Sequence, residues 1–264
     1  AASDVYKRQD CINIGLLGVG TVGSGVLHVL EHNGGEIAKK AGCKIEIKKI
    51  LVRNPQKAAE LGKKYAVTGD FEDIVNDPDI DIVVELIGRE HPAKEYIASA
   101  LEHGKNVVTA NKDVLAKYGR ELFPLAELHN VDFMFEGAVG GGIPIIRPLK
   151  SCLAANRIKS VMGIVNGTTN YMLTKMTQDH MDYGEVLREA QEKGYAESDP
   201  TADVGGLDAA RKLVILASIA FNTRISLDDV LVSGIESLKL CDIEYAKELG
   251  YTIKPVSYTH LTLP

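Results

Sequence analysis

The sequence has no run of lysine or arginine, no apolar stretch of membrane-spanning length, no apolar signal core, no internal repeat and no low-complexity segment. Each absence removes a class. Without a basic run, and with a formal net charge of -6, neither nucleic acid nor an anionic membrane is expected as the main partner. Without an unbroken apolar stretch no transmembrane helix is expected, and without a signal core no secretion. The cysteines are few and scattered: Cys11, Cys43, Cys152 and Cys241 form no CxxC pair and have no histidine at zinc spacing. That argues against a disulfide framework or a zinc site and reads as reduced thiols in a cytoplasmic protein.

What is present is ordinary globular material. Across 264 residues, 45% are hydrophobic and 25% charged, enough for one large domain or two modest ones with real cores. Residues 1–9 (AASDVYKRQ) and 256–264 (VSYTHLTLP) abut the patterned chain abruptly. Both are expected to be non-native ends and are set aside.

A short apolar run rich in β-branched residues predicts a buried strand at 11–17, alternation predicts a second at 44–52, and further strands are read at 80–86, 105–109 and 132–136. Helical patterns fall between them, at 21–32, 55–65, 92–103 and about 113–129, the first closed by Asn33-Gly34-Gly35. Strands alternating with helices imply an α/β domain over residues 11–136, a doubly wound Rossmann-type parallel sheet with its ligand at the carboxyl ends of the strands. After a glycine-rich turn (GAVGGGIP) the pattern changes to a strand at 158–165 and helices at about 169–179, 182–193 and 206–221. This predicts a second, α+β domain over residues 137–254.

Gly18-Val19-Gly20-Thr21-Val22-Gly23 is GxGxxG, placed after an apolar strand and opening a helix. In a dinucleotide fingerprint the first glycine permits the tight turn, the second admits the pyrophosphate to the backbone, and the third lets helix and strand pack closely. The helix N-terminus then offers N–H groups to the phosphates. The second strand ends Leu51-Val52-Arg53-Asn54, with an arginine where a ribose-binding carboxylate usually stands. Arg53 suits a 2′-phosphate, hence NADP over NAD; the other reading is a solvated loop cation.

Lys112 follows the fourth strand in Ala110-Asn111-Lys112, on the ligand side of the sheet, where a lysine meets a cofactor or simply starts a helix. A second cluster, GYAESDPTADVGGLDAARK at 194–212, sets four carboxylates ahead of a helix that is almost wholly apolar from Leu213 to Phe221. Such a helix is buried. Asp208 and Lys212 stand at i and i+4 and share a face. Spacing alone leaves two readings open: a structural ion bridge, or a lysine whose proton is used in chemistry.

With these residues in view, the chain resembles the homoserine dehydrogenase family from about residue 12 to 254. The segments that carry the resemblance are GLLGVGTVGSGV at 15–26, VVTANK at 107–112, FEGAVGGGIPII at 135–146, NGTTNY at 166–171 and the 194–212 cluster. The resemblance implies interconversion of L-homoserine and L-aspartate 4-semialdehyde with a nicotinamide cofactor, on the route to threonine and methionine. It implies a catalytic and dimerisation role for the second domain, and a homodimer in the full-length form. It assigns Lys212 as proton donor with Lys112 and Asp208 beside it, and Glu197, Asp203, Gly167 and Thr168 to the substrate. It further implies a monovalent cation, sodium, on Glu136 and the backbone carbonyls of Val139, Gly141 and Ile143. Family members extend well past residue 254, many with a regulatory ACT domain, so a truncated catalytic domain is expected. Two alternatives stand beside this reading: a cofactor-binding fragment without turnover, and another NADP-dependent aldehyde oxidoreductase, whose mark would be a reactive cysteine. Cys152, with no histidine near it in sequence, reads as structural.

Overall fold

The computed structural model describes residues 11–260. Residues 1–9, and 261–264 of the second end set aside above, lie outside the described residues. The chain divides into two compact units between Ala138 and Val139.

The first unit runs β1 (Cys11–Leu17), α1 (Thr21–Ala41), β2 (Lys44–Leu51), α2 (Pro55–Leu61), β3 (Val67–Thr68), α3 (Glu72–Val75), β4 (Ile82–Glu85), α4 (Ala93–Glu102), β5 (Asn106–Thr109), α5 (Lys112–Leu128) and β6 (Phe133–Met134). All pairings are parallel, in the order β3-β2-β1-β4-β5-β6. The chain builds outward from β1 to β3, then returns to the other side of β1 with β4. The crevice at the carboxyl ends of β1 and β4 is therefore the switch point where such sheets bind ligands. Leu16 of β1 pairs with Ile50 on one side and Val84 on the other. Leu16, Leu17, Ile50 and Val83 are fully or almost fully buried, as expected for strands covered on both faces.

Two departures from the expected pattern have simple causes. The sheet has a sixth strand, β3, whose two residues are too few to show a period. Helix α1 does not stop at Asn33-Gly34-Gly35 but runs on to Ala41. Gly34 and Gly35 are not at positive φ, so each costs the helix only about 1 kcal/mol. The true stop is Gly42, at φ 77°, whose N–H donates to the Ala38 carbonyl, with Lys39 and Lys40 favourably placed in the last turn.

The second unit contains β7 (Ser160–Gly163), α6 (Gly167–Asp179), α7 (Tyr183–Glu192), α8 (Thr201–Val204), α9 (Leu207–Ala220), α10 (Leu240–Glu248) and β8 (Ser257–His260), after a π-helical turn at Pro148–Cys152. Its core joins Met172, Leu173 and Met176 of α6 to Val186 and Ala190 of α7, Val204, Ile235 and Ile243. Residues Leu213 to Ala217 of α9 are buried, as its apolar run implies. Ser257–His260, part of the second end set aside above, pair antiparallel with β7, Met162 opposite Tyr258.

Candidate active site

The glycine turn has the shape its sequence demands. Gly18 sits at φ +91°, and a Cβ there would lie 2.9 Å from the Leu86 carbonyl oxygen. A Cβ on Gly23 would lie 2.2 Å from the Gly18 oxygen, so helix and turn touch backbone to backbone. A Cβ on Gly20 would meet nothing within 4 Å, which leaves open space where a phosphate approaches. Gly20 is also the N-cap of α1 and provides no side-chain cap, and the first turn, Thr21, Val22 and Gly23, carries no acid. Its N–H groups therefore face the turn with the positive end of the helix dipole behind them. Val19 is buried beneath the turn and Val22 is exposed. These geometries separate two substitutions. Gly23→Ala should destabilise the fold by roughly 1–3 kcal/mol through overpacking. Gly20→Ala should leave the melting temperature close to wild type while weakening dinucleotide binding. Thermal melts alongside NADPH titrations read both effects.

Arg53 is exposed just past β2 and donates from Nη2 to the Tyr96 hydroxyl at 2.8 Å. Tyr96 is itself stacked on Phe71, with centroids 4.1 Å apart. Asn54 caps α2, accepting from the N–H groups of Gln56 and Lys57, and the Lys57 ammonium donates to the Val19 carbonyl. Two cations thus stand at this strand end. Lys112 is the first residue of α5, whose N-cap, Asn111, accepts from the Val114 N–H at 3.2 Å. Glu136 opens a 3-10 turn after β6. Of the backbone donors expected to share its ion, Val139 is buried and Gly141 and Ile143 are exposed, in a turn where Gly140 and Gly142 take positive φ and the Ile143 N–H donates to Gly140 O at 2.6 Å.

In the second unit Lys212 is held by its own helix and by the segment between β7 and α6. Its ammonium donates to Asp208 Oδ2 at 2.6 Å and to the Val165 carbonyl at 2.8 Å. The pair is largely buried, the side chains 17% and 6% exposed. Asn166 completes the cluster. Its amide nitrogen donates to Asp203 Oδ1 at 2.7 Å and to Asp208 Oδ2 at 2.8 Å. Its oxygen accepts from both the N–H and the hydroxyl of Thr169, capping α6. Gly167 and Thr168 follow directly, and the Thr168 hydroxyl donates to the Tyr195 carbonyl at 2.6 Å.

The structure therefore brings Asp203, Asp208 and Lys212 together, with Asp203 joined through Asn166. Glu197 stands in the exposed loop after α7, where the Gln191 side chain donates to its carbonyl. Asp199 in the same loop accepts from the Thr201 hydroxyl and N–H, which hold its carboxyl below the usual range. Cys152 is exposed at the end of the π-helical turn. Asn166 was not singled out by the sequence. An asparagine before a helix is an N-cap signal, but its bonds to the acids span 37 and 42 residues, and no local pattern reports them. Among the described residues no helix is long and apolar enough to cross a membrane.

A parallel sheet in this order, with a glycine turn of this geometry at its switch point, defines a dinucleotide-binding protein of the Rossmann class. Residues 18–136 match the homoserine dehydrogenase NAD-binding domain, and residues 144–262 match the homoserine dehydrogenase domain that follows it. The chain belongs to the homoserine dehydrogenase family. It is 48% identical to the homoserine dehydrogenase of Bacillus subtilis over 244 residues, 92% of this chain and 56% of that protein. The crystal structure of a homoserine dehydrogenase from Thiobacillus denitrificans superposes with a TM-score of 0.91 at 48% identity, over 95% of this chain and 58% of that one. A hyperthermophilic archaeal homoserine dehydrogenase mutant, solved in complex with NADPH, superposes with a TM-score of 0.76 at 27% identity, over 88% of this chain and 76% of that one. The chain thus spans a little over half the length of the Bacillus and Thiobacillus proteins.

Proposed function

We propose that this protein reduces L-aspartate 4-semialdehyde to L-homoserine, and catalyses the reverse, with NADP(H) as cofactor. The observation that carries the reading is the Lys212 ammonium, fixed by Asp208 and the Val165 carbonyl beside an acidic pair bridged by Asn166. An ammonium has three donors. Two are engaged here, which leaves the third for a substrate oxygen. The nicotinamide, when bound, supplies the hydride that the aldehyde carbon takes up. The chain's part is to stabilise and protonate the oxygen that becomes negative as the carbonyl is reduced, and Lys212 is the proton donor for that step. Asp208 orients Lys212 and returns charge balance to it. Asp203 and Glu197, with the Gly167–Thr168 backbone, complement the substrate's ammonium and carboxylate. Lys112, at the start of α5, contacts the cofactor and substrate. A monovalent cation, sodium, on Glu136 and the carbonyls of Val139, Gly141 and Ile143 belongs to the same reading, since hard oxygen donors suit such an ion. So do a cytoplasmic location and a homodimeric full-length form.

The preference for NADP(H) rests on Arg53 and Lys57 at the end of β2, where no carboxylate stands in the Leu51–Asn54 segment to meet a 2′-hydroxyl. Comparing kcat/KM for NADPH and NADH in wild type and Arg53→Ala tests this. The substitution should erase most of the discrimination, and a preference that survives it would overturn the assignment. The reaction itself is tested by following NADPH absorbance with aspartate semialdehyde, using this chain and a full-length relative. Absence of turnover in both would refute the proposal.

A further inference from the structure

Glu85, the last residue of β4, is fully buried. A carboxylate in such a place needs hydrogen bonds or a counter-ion. Here it has donors that are all neutral. Oε1 accepts from the Ile87 N–H at 2.7 Å and Oε2 from the Thr109 hydroxyl at 2.7 Å. The Asn111 side chain and the Gly88 N–H also bond it. Burial pushes the carboxyl above the usual range, and these four donors pull it part of the way back.

Ile87 and Gly88 lie on the loop after β4, Thr109 is the last residue of β5 and Asn111 lies on the loop that follows it, all on the ligand side of the sheet. The first loop is also the wall of the glycine turn: a Cβ on Gly18 would lie 2.9 Å from Leu86 O and 3.2 Å from Ile87 N. The second opens α5, with the Asn111 N–H donating to Thr109 Oγ1 at 2.9 Å directly before Lys112. We propose that Glu85 is a positioning residue for the dinucleotide: its carboxylate ties the loop after β4 to the loop after β5, and so fixes Lys112 relative to the glycine turn. Two oxygens are required because donors arrive both from the loop after β4 and from the end of β5. A glutamine keeps one acceptor and turns an NH2 group toward the other donors.

This inference rests on reading the first unit as the dinucleotide site, and the test separates the two. NADPH is titrated into wild type, Glu85→Gln, Thr109→Val and Thr109→Ser by its fluorescence, with a thermal melt of each. Glu85→Gln and Thr109→Val should weaken NADPH binding about tenfold, the size expected when a buried donor loses its acceptor or the reverse. Thr109→Ser, which keeps the hydroxyl, should bind as wild type. A merely structural role would lower the melting temperature and leave the affinity of the folded protein unchanged. The proposal is overturned by wild-type affinity in Glu85→Gln or, if that variant does not fold, in Thr109→Val. It is equally overturned if Thr109→Ser loses as much as Thr109→Val. A wild-type protein that does not bind NADPH would refute the dinucleotide site itself, and the inference with it.

Discussion

Replacing Lys212 with alanine should lower kcat by roughly two to four orders of magnitude, the span of general acid catalysis by a positioned side chain. NADPH affinity should stay at its wild-type value. The reason for the first effect is local. The reduced carbonyl must gain a proton as it gains hydride, and Lys212 is the proposed donor, with two of its N–H groups already fixed on Asp208 and Val165. The reason for the second is that the glycine turn is built from β1, α1 and the Leu86–Ile87 backbone, none of which contains the lysine. Stability should fall modestly, because Asp208 loses its ammonium but keeps the Asn166 amide. Lys212→Arg should not rescue kcat, since a guanidinium keeps the charge but does not give up a proton near neutral pH. Stopped-flow turnover and equilibrium NADPH titration on the same preparations separate chemistry from binding. Near-normal kcat in Lys212→Ala would remove the proposed proton donor.

The parts of the molecule legible in the sequence are those where a residue's own chemistry constrains its place. The glycine turn is one: Gly18 and Gly23 have contacts that any side chain would violate, so the motif and the geometry carry the same information. The Asp208–Lys212 pair is another, because i and i+4 on a helix is a distance rule. The strands β1, β4 and β5 are visible as short apolar runs, and β2 as an alternation in which Ile45 and Ile47 are less exposed than Lys44 and Glu46. Where the sequence misled, a local signal was outweighed. Gly34 and Gly35 look like a helix stop but are tolerated inside α1, since neither takes a left-handed backbone. Where it was silent, the information was tertiary. Glu85 ends an apolar strand like any carboxylate at a strand terminus; only folding brings to it Thr109, from the end of β5, and Asn111, from the loop that follows. Glu197 lies in the most specific motif, yet it is Asp203 that joins Asp208 and Lys212, through an asparagine 37 residues earlier, whereas Glu197 remains in an exposed loop.

That asparagine gives the second large effect. Asn166→Asp should lower kcat/KM by about ten- to a hundredfold at neutral pH, the cost of turning one buried donor into a third acceptor. The substitution is nearly isosteric and keeps the cap on α6, because aspartate serves as well as asparagine at that position and its oxygen still accepts from the Thr169 N–H and hydroxyl. What changes is the other side of the group. The NH2 that bridges Asp203 and Asp208 becomes an oxygen, and three carboxylates then share one site with a single ammonium. Like charges at this distance force one of them to hold a proton, so its affinity for that proton rises. Below the raised pKa the new aspartic acid regains an O–H donor and bridges one neighbour again; above it the donor is lost and the acids separate. The ratio of variant to wild-type kcat/KM should therefore climb as pH is lowered from neutrality. Asn166→Ser keeps the cap but cannot span both acids, and its loss should be independent of pH. A pH profile of all three proteins distinguishes these outcomes. If Asn166→Asp followed the wild-type profile at wild-type rate, the bridge would have no part in aligning Lys212, and the acids would have to be held by other contacts.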